Sequence, residues 1–409
     1  MKKISSLFEN KLLIILLSLF LTACGGAVEG TIGSVILSGS VGDGPIINST
    51  VTVKNVNAVT LATTVSDDKA NYSLSVTPSA SDYPLIISST GGIDLVTGTT
   101  PDFEMLSIVS DSSQIRANLN PFSTFIVKTA QAMPGGLTIA NVTFANNAVL
   151  SKLNFGFDQI LVPDPISTII TKSNIAVIVK ASETLAEMVR RTRDAVGGNT
   201  TADDVIAALG ADLTDGDMDG AGSAGSIPRI SALANVISGP VLLEALSNDL
   251  KVGNMSATAL MDNAISITMP DAPSTAITDN VSITSEMLVQ AITAINAAQV
   301  IDSGADLDVI ENTLSGITAG SLPADVVAFQ SSDLDSSINL VLNASNSQLI
   351  SVNAVVSVNN NAPSNGGTPA PSNPAPSTPA PSTPAPSNPA PSNNAPVAAI
   401  SVNPTSGMA

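Results

Sequence analysis

The stretch Ser34-Val35-Ile36-Leu37-Ser38-Gly39-Ser40-Val41-Gly42-Asp43-Gly44-Pro45-Ile46-Ile47-Asn48-Ser49-Thr50-Val51-Thr52-Val53 sets β-branched runs on either side of a Gly-Asp-Gly-Pro turn. Valine, isoleucine and threonine suit the pleated, half-buried surface of a strand, and the glycines and proline supply the backbone angles of a tight turn. Strands joined by short turns follow from this pattern. The same rhythm continues at residues 59–65, 72–76 and 83–88. Residues 31–115 therefore read as a small antiparallel β-sandwich.

The period changes after residues 93–100 and the segment Asn118-Leu119-Asn120-Pro121-Phe122-Ser123-Thr124, and apolar residues then recur at helical spacing to about residue 320. Thr201, followed by Asp203 and Asp204, predicts the cap of a helix over 202–209, which Gly210 can end. Ser182 reads as the start of another, with Leu185, Met188 and Val189 on its buried face and Arg190, Arg191 and Arg193 largely outside. In 285–300, Leu288, Ile292 and Ile295 fall on one face, with Ala291 and Ala298 allowing close contact. The polar, β-branched composition of 343–358 reads as a closing strand pair. Residues 116–358 are thus expected to form a mainly α-helical domain, and the chain a multidomain α+β protein.

At the other end, Lys2, Lys3 and Lys11 form a basic region before the apolar run 12–21, which is too short to span a hydrocarbon core of ~30 Å. Residues 1–23 read as a signal peptide. Leu21-Thr22-Ala23-Cys24-Gly25 resembles the lipobox of bacterial lipoproteins. That resemblance implies cleavage before Cys24, a diacylglycerol thioether on its sulfur, and a lipidated tether over 24–30. With each buried methylene worth ~0.8 kcal/mol, attachment to the bilayer through an acylated Cys24 is expected to be lasting. By the family's sorting rule, Gly25 implies the outer membrane of a Gram-negative cell.

Residues 1–23 contain three lysines and Glu9, so the 15 basic and 34 acidic residues of the whole chain become 12 and 33, and the net charge moves from −19 to −21. Such a surface repels nucleic acid. The chain has no histidine, and its one cysteine is Cys24. No Ser-His-Asp triad, Cys-His pair or imidazole-bound zinc can be built from this composition, and no disulfide. Tryptophan is absent and Tyr72 and Tyr83 are the only tyrosines, so the usual aromatic platforms for sugar rings are missing. Paired carboxylates alone can cleave glycosides, but no pair stands out among these acids. The glycines of 220–225 lack the Gly-Lys-Ser ending of a phosphate loop.

Gly42-Asp43-Gly44-Pro45-Ile46, the run 49–53 and Ser66-Asp67-Asp68-Lys69-Ala70-Asn71-Tyr72 together resemble the carboxypeptidase regulatory-like sandwich, with Ala70 where that family usually has glycine. The resemblance implies a structural or presentation module. From 359 to 396 the chain is rich in Pro, Ala, Ser, Asn and Thr, with Pro-Ala-Pro-Ser-Asn and Pro-Ala-Pro-Ser-Thr repeating. This reads as a disordered linker of polyproline II character that can extend roughly 100 Å at ~3.1 Å per residue. Residues 397–409, beginning Val397-Ala398-Ala399-Ile400-Ser401-Val402-Asn403-Pro404, resemble the start of a PKD domain, an immunoglobulin-like sandwich, here truncated.

Asp215-Gly216-Asp217-Met218-Asp219-Gly220 is similar to an EF-hand calcium loop, with carboxylates at alternate positions, although Ser223 and Ser226 hold its ninth and twelfth places. Asp215, Asp217 and Asp219 are therefore candidates for a weak calcium site. No catalytic residue and no other cofactor is expected. The sequence as a whole points to a surface-anchored, non-catalytic lipoprotein, an interaction, adhesion or envelope scaffold with an extracellular polymer or protein as ligand. The alternative is the anchoring and spacer region of a larger secreted hydrolase whose catalytic domain lies beyond Ala409.

Overall fold

Alternation in the first third of the chain becomes antiparallel sheet. The computed structural model describes residues 33–253, 255–280, 283–303, 314 and 331–359. The expected signal peptide 1–23, the expected lipidation site Cys24 and tether 24–30, the expected linker 359–396 apart from Asn359, and the PKD-like start expected at 397–409 lie outside the described residues. Strand β1 (Val35–Ser40) pairs along its length with a partner at Asn71–Val76, placing Leu37 opposite Leu74 and Gly39 opposite Tyr72. Short strands β2 (Ile46–Ile47) and the segment Ile93–Asp94 form a second pair. Strands β3 (Thr50–Lys54) and β4 (Thr60–Val65) join Leu85–Thr90 and Met105–Val109 in a four-stranded sheet, with β4 and Met105–Val109 at its edges. In chain order the remaining strands are β5 (Asn71–Val76), β6 (Leu85–Thr90), β7 (Ile93–Asp94) and β8 (Met105–Val109).

Strands β3 and β5 bury the face that the sequence made apolar: Val51 and Val53 on β3, and Tyr72, Leu74 and Val76 on β5. Tyr72 also donates its hydroxyl to the Ala117 carbonyl at 2.6 Å, and burial pushes its pKa up. Ala70 is held at φ +58°, a left-handed angle that explains why glycine suits this position.

Strand β8 is buried on both faces, because the first helix covers it. That helix, α1 (Pro121–Ala132), starts with Asn120 accepting from the Ser123 amide and with Pro121 in its first turn. Ser123 Oγ donates to the Leu106 carbonyl at 2.6 Å and Thr124 Oγ1 accepts from the Leu106 amide at 2.9 Å. Two helix hydroxyls thus satisfy backbone groups that a sheet edge would otherwise leave open. Phe122 and Phe125 enter the core beneath this seam, and the Phe122 and Phe157 rings lie 4.6 Å apart between centroids.

Helices α2 (Ile139–Lys152), α3 (Ile175–Val196), α4 (Ala202–Asp212) and α5 (Pro228–Leu246) follow, then a two-residue hairpin of β9 (Lys251–Val252) and β10 (Met255–Ser256). Among the described residues, α6 (Ala257–Thr268), α7 (Ala276–Asn280), α8 (Ser285–Ile301), α9 (Ser331–Asn343) and α10 (Asn346–Asn359) come next. One hydrophobic core runs from Leu37 in β1 to Val356 in α10, across the boundary expected near residue 115. The N-terminal antiparallel sheets and the helices make the fold mixed α+β.

Four local expectations differ from what is observed. Helix α3 begins at Ile175, seven residues before Ser182, because Asn174 first closes a turn by accepting from the Thr171 amide at 2.7 Å. Helix α4 runs through Gly210 to Asp212. A Cβ on Gly210 would lie 3.1 Å from Lys128 Cβ, so this glycine admits α1 at close range instead of ending the helix. Residues 346–359 are helix, since Leu349, Val352, Asn353 and Val356 are buried at helical spacing, a period that outweighs their β-branched composition. Arg190 is 7% exposed and lies inside the protein.

The cap of α4 is as expected: Thr201 Oγ1 accepts from the Asp204 amide, and the Asp204 carboxylate accepts from the Thr201 amide at 2.8 Å. Thr201→Ala is expected to lower stability by about 1 kcal/mol, read as a shift in urea midpoint at unchanged slope.

Candidate functional site: a buried acidic cluster around Arg190

Every residue of α3 from Ile175 to Arg190 is buried, so its polar side chains must find partners inside the protein. Glu183, Glu187 and Arg190 are spaced i, i+4 and i+7 and share one face. Arg190 divides its donors among three acids: Nη1 to Asp43 Oδ2 at 3.0 Å, Nη2 to Glu183 Oε2 at 2.8 Å, and Nε to Glu187 Oε2 at 2.8 Å. The next residue extends the network. Arg191 bonds Glu187 Oε1 through Nε and takes Glu244 of α5 in a two-pronged pair at 2.9 and 2.7 Å.

Asp43 enters from the turn after β1, where Gly42 has φ +143° and a Cβ would fall 1.5 Å from the Gly44 carbonyl oxygen. Asp94 enters from the end of β7. Its Oδ1 accepts from the Val96 amide at 2.8 Å and its Oδ2 from Thr97 Oγ1 at 2.6 Å, which fixes the turn that carries it. Asp43, Asp94 and Glu183 are each at most 1% exposed, and one oxygen of each lies within 4.8 Å of the others. Among the described residues they are the group of acids that converges in this way. Beside the turn lies a cavity of about 160 Å³ whose lining includes Asp43, Lys69, Asn120, Ile178 and Met269.

Burial, with Asp94 adding repulsion, pushes the Asp43 carboxyl from its usual 3.8 up to about 7. Burial and the charges of Asp43 and Asp94 likewise raise Glu183 well above the ordinary carboxylate range. Burial disfavours the Arg190 charge, but Glu183, Asp43 and Glu187 outweigh it and hold the guanidinium protonated. The cluster is thus an anionic core offset in part by the Arg190 guanidinium.

A raised folded-state pKa gives stability that is present at low pH and lost as pH climbs through the folded value. Asp43 acts between its unfolded value of 3.8 and about 7. Glu183 acts in the same sense, as does Asp212, which burial pushes up to about 6. In metal-free buffer the melting temperature is therefore expected to be higher at about pH 5 than at about pH 8, as read by calorimetry.

The sequence-predicted acids occupy a different place and are not brought together. Asp215 Oδ1 accepts from the Asp217 amide, Asp217 pairs with Lys152 Nζ at 2.5 Å, and Asp219 Oδ1 accepts from the Ala221 amide. Their loop is organised by Asp212, which accepts from Ser231 Oγ at 2.6 Å and from the Gly220 amide at 3.0 Å. Nothing local in the sequence marks Asp43, Asp94 and Glu183 as a cluster, because they come from three distant segments; the Glu183, Glu187, Arg190 spacing marks only an ionic face on α3.

No family model, curated protein or solved structure matches the chain.

Proposed function

We propose that the chain is a surface-anchored, non-catalytic lipoprotein, tethered to the outer membrane through an acylated Cys24 and presenting a folded interaction or adhesion scaffold. The observation that carries this reading is the lipobox-like Leu21-Thr22-Ala23-Cys24 at the end of a signal-like segment. The buried network supports it: the acids that converge on Arg190 are enclosed in the core, where they brace strands against helices. The acidic surface disfavours nucleic acid and suits an extracellular polymer or protein as partner.

The test is metabolic labelling with an alkyne fatty acid, followed by membrane fractionation. Wild type should carry the label and sediment with outer membranes, and Cys24→Ala should lose both properties. Outer-membrane recovery of unlabelled Cys24→Ala would contradict the proposal.

A second reading is favoured by the proline repeat in 359–396, taken as a polyproline II spacer, and by the PKD-like opening at 397–409. In it the folded unit is the anchoring region of a larger secreted hydrolase with its catalytic domain beyond Ala409. Immunoblotting of native membranes separates the two readings by the size of the detected protein.

A further inference from the structure

We propose that Asp43, Asp94 and Glu183 form a calcium site that joins the turn after β1, the turn after β7 and helix α3. Calcium binds oxygens at 2.3–2.6 Å, so two ligands of one ion stand at most about 5 Å apart. The three carboxylates meet that limit, with one oxygen of each within 4.8 Å of the others.

Two of the acids have a buried oxygen without a hydrogen bond, Asp43 Oδ1 and Glu183 Oε1, while Arg190 takes the other oxygen of each. Uncompensated carboxylate oxygens in a core carry a desolvation cost that a bound cation removes. Gly44 lets the turn approach two of the acids closely: a Cβ there would lie 2.7 Å from Glu183 Oε1 and 2.5 Å from Asp94 Oδ1.

Charge points the same way. Asp43, Glu183, Glu187 and Glu244 share two guanidiniums, those of Arg190 and Arg191, and Asp94 adds a further carboxylate beside Asp43 and Glu183. The donor set is all oxygen and anionic, which selects hard cations over zinc or copper. Calcium tolerates irregular coordination, whereas magnesium demands a near-ideal octahedron of ligands at shorter distances. The proposal is independent of lipidation.

The test uses the mature lipoprotein in detergent micelles, with calcium chloride or magnesium chloride as the titrant in calorimetry and melting curves with and without EDTA. One calcium per chain should bind at or below millimolar concentration, and EDTA should lower the melting temperature. Magnesium should give the smaller shift. Asp94→Asn, which keeps the Oδ1 acceptor and leaves the Arg190 pairs intact, should weaken calcium binding at least about tenfold. The triple variant Asp215→Asn, Asp217→Asn, Asp219→Asn should bind as wild type does. Absence of calcium binding at millimolar concentration overturns the site, and so does binding that survives Asp94→Asn but is lost in the triple variant. If Asp94→Asn fails to fold, calcium retention by the triple variant together with the EDTA shift of wild type decides.

Discussion

Arg190→Met is expected to lower the unfolding free energy by about 3–5 kcal/mol, the range for removing one partner of a buried ion pair. The loss arises because three carboxylates keep their burial and lose their common cation, and of the three only Glu187 retains a second guanidinium, that of Arg191. Arg190→Lys should recover only part of it, because one ammonium cannot span three acids as a planar fork does. The effect should shrink toward about pH 5, where the raised Asp43 and Glu183 carboxyls take up protons instead of remaining as bare charges. Urea unfolding of the three proteins at both pH values measures this. A loss under about 1 kcal/mol for Arg190→Met would mean that the network is not a stabilising brace.

Phe122→Ala should cost a similar amount, about 3–5 kcal/mol, through a different cause. Its ring is fully buried at the seam of β8 and α1 and packs against Phe157 at 4.6 Å. On one side the ring's surroundings are fixed by the Ser123 and Thr124 bonds to Leu106. Neighbouring side chains therefore cannot collapse fully into the space, and a cavity term adds to the lost transfer free energy. Unlike Arg190→Met, this loss should be nearly independent of pH. Urea midpoints across the same pH range separate the two.

Much of the secondary structure was legible because its causes are local. Val51 and Val53 alternate with threonines on β3, Thr201 and Asp204 cap α4, and of the expected Leu288, Ile292, Ile295 face of α8, Leu288 and Ile295 are buried along with Ala291 and Ala298 while Ile292 is partly buried. Harder to read was anything set by what packs on the other side. Arg190 looks like a solvated residue until α3 is seen to be covered on all faces, and Gly210 looks like a helix stop until α1 is found against it. The acidic cluster depends on three distant segments that only the topology brings together. Asp215, Asp217 and Asp219 made the stronger local motif, yet Lys152 and Asp212 draw that loop into ordinary hydrogen bonds and an ion pair.

Whether sheets and helices form one body braced around Arg190 can be measured on the wild-type protein with its own probes. The only tyrosines, Tyr72 and Tyr83, lie in the strand-rich part, tryptophan is absent, and among the described residues the α-helices all follow Asn120. With one continuous core, urea unfolding followed by tyrosine fluorescence and by helical circular dichroism should give coincident transitions with a single midpoint. Two separated midpoints, with the tyrosine signal lost while the helical signal persists, would contradict a shared core and show two independently folding parts.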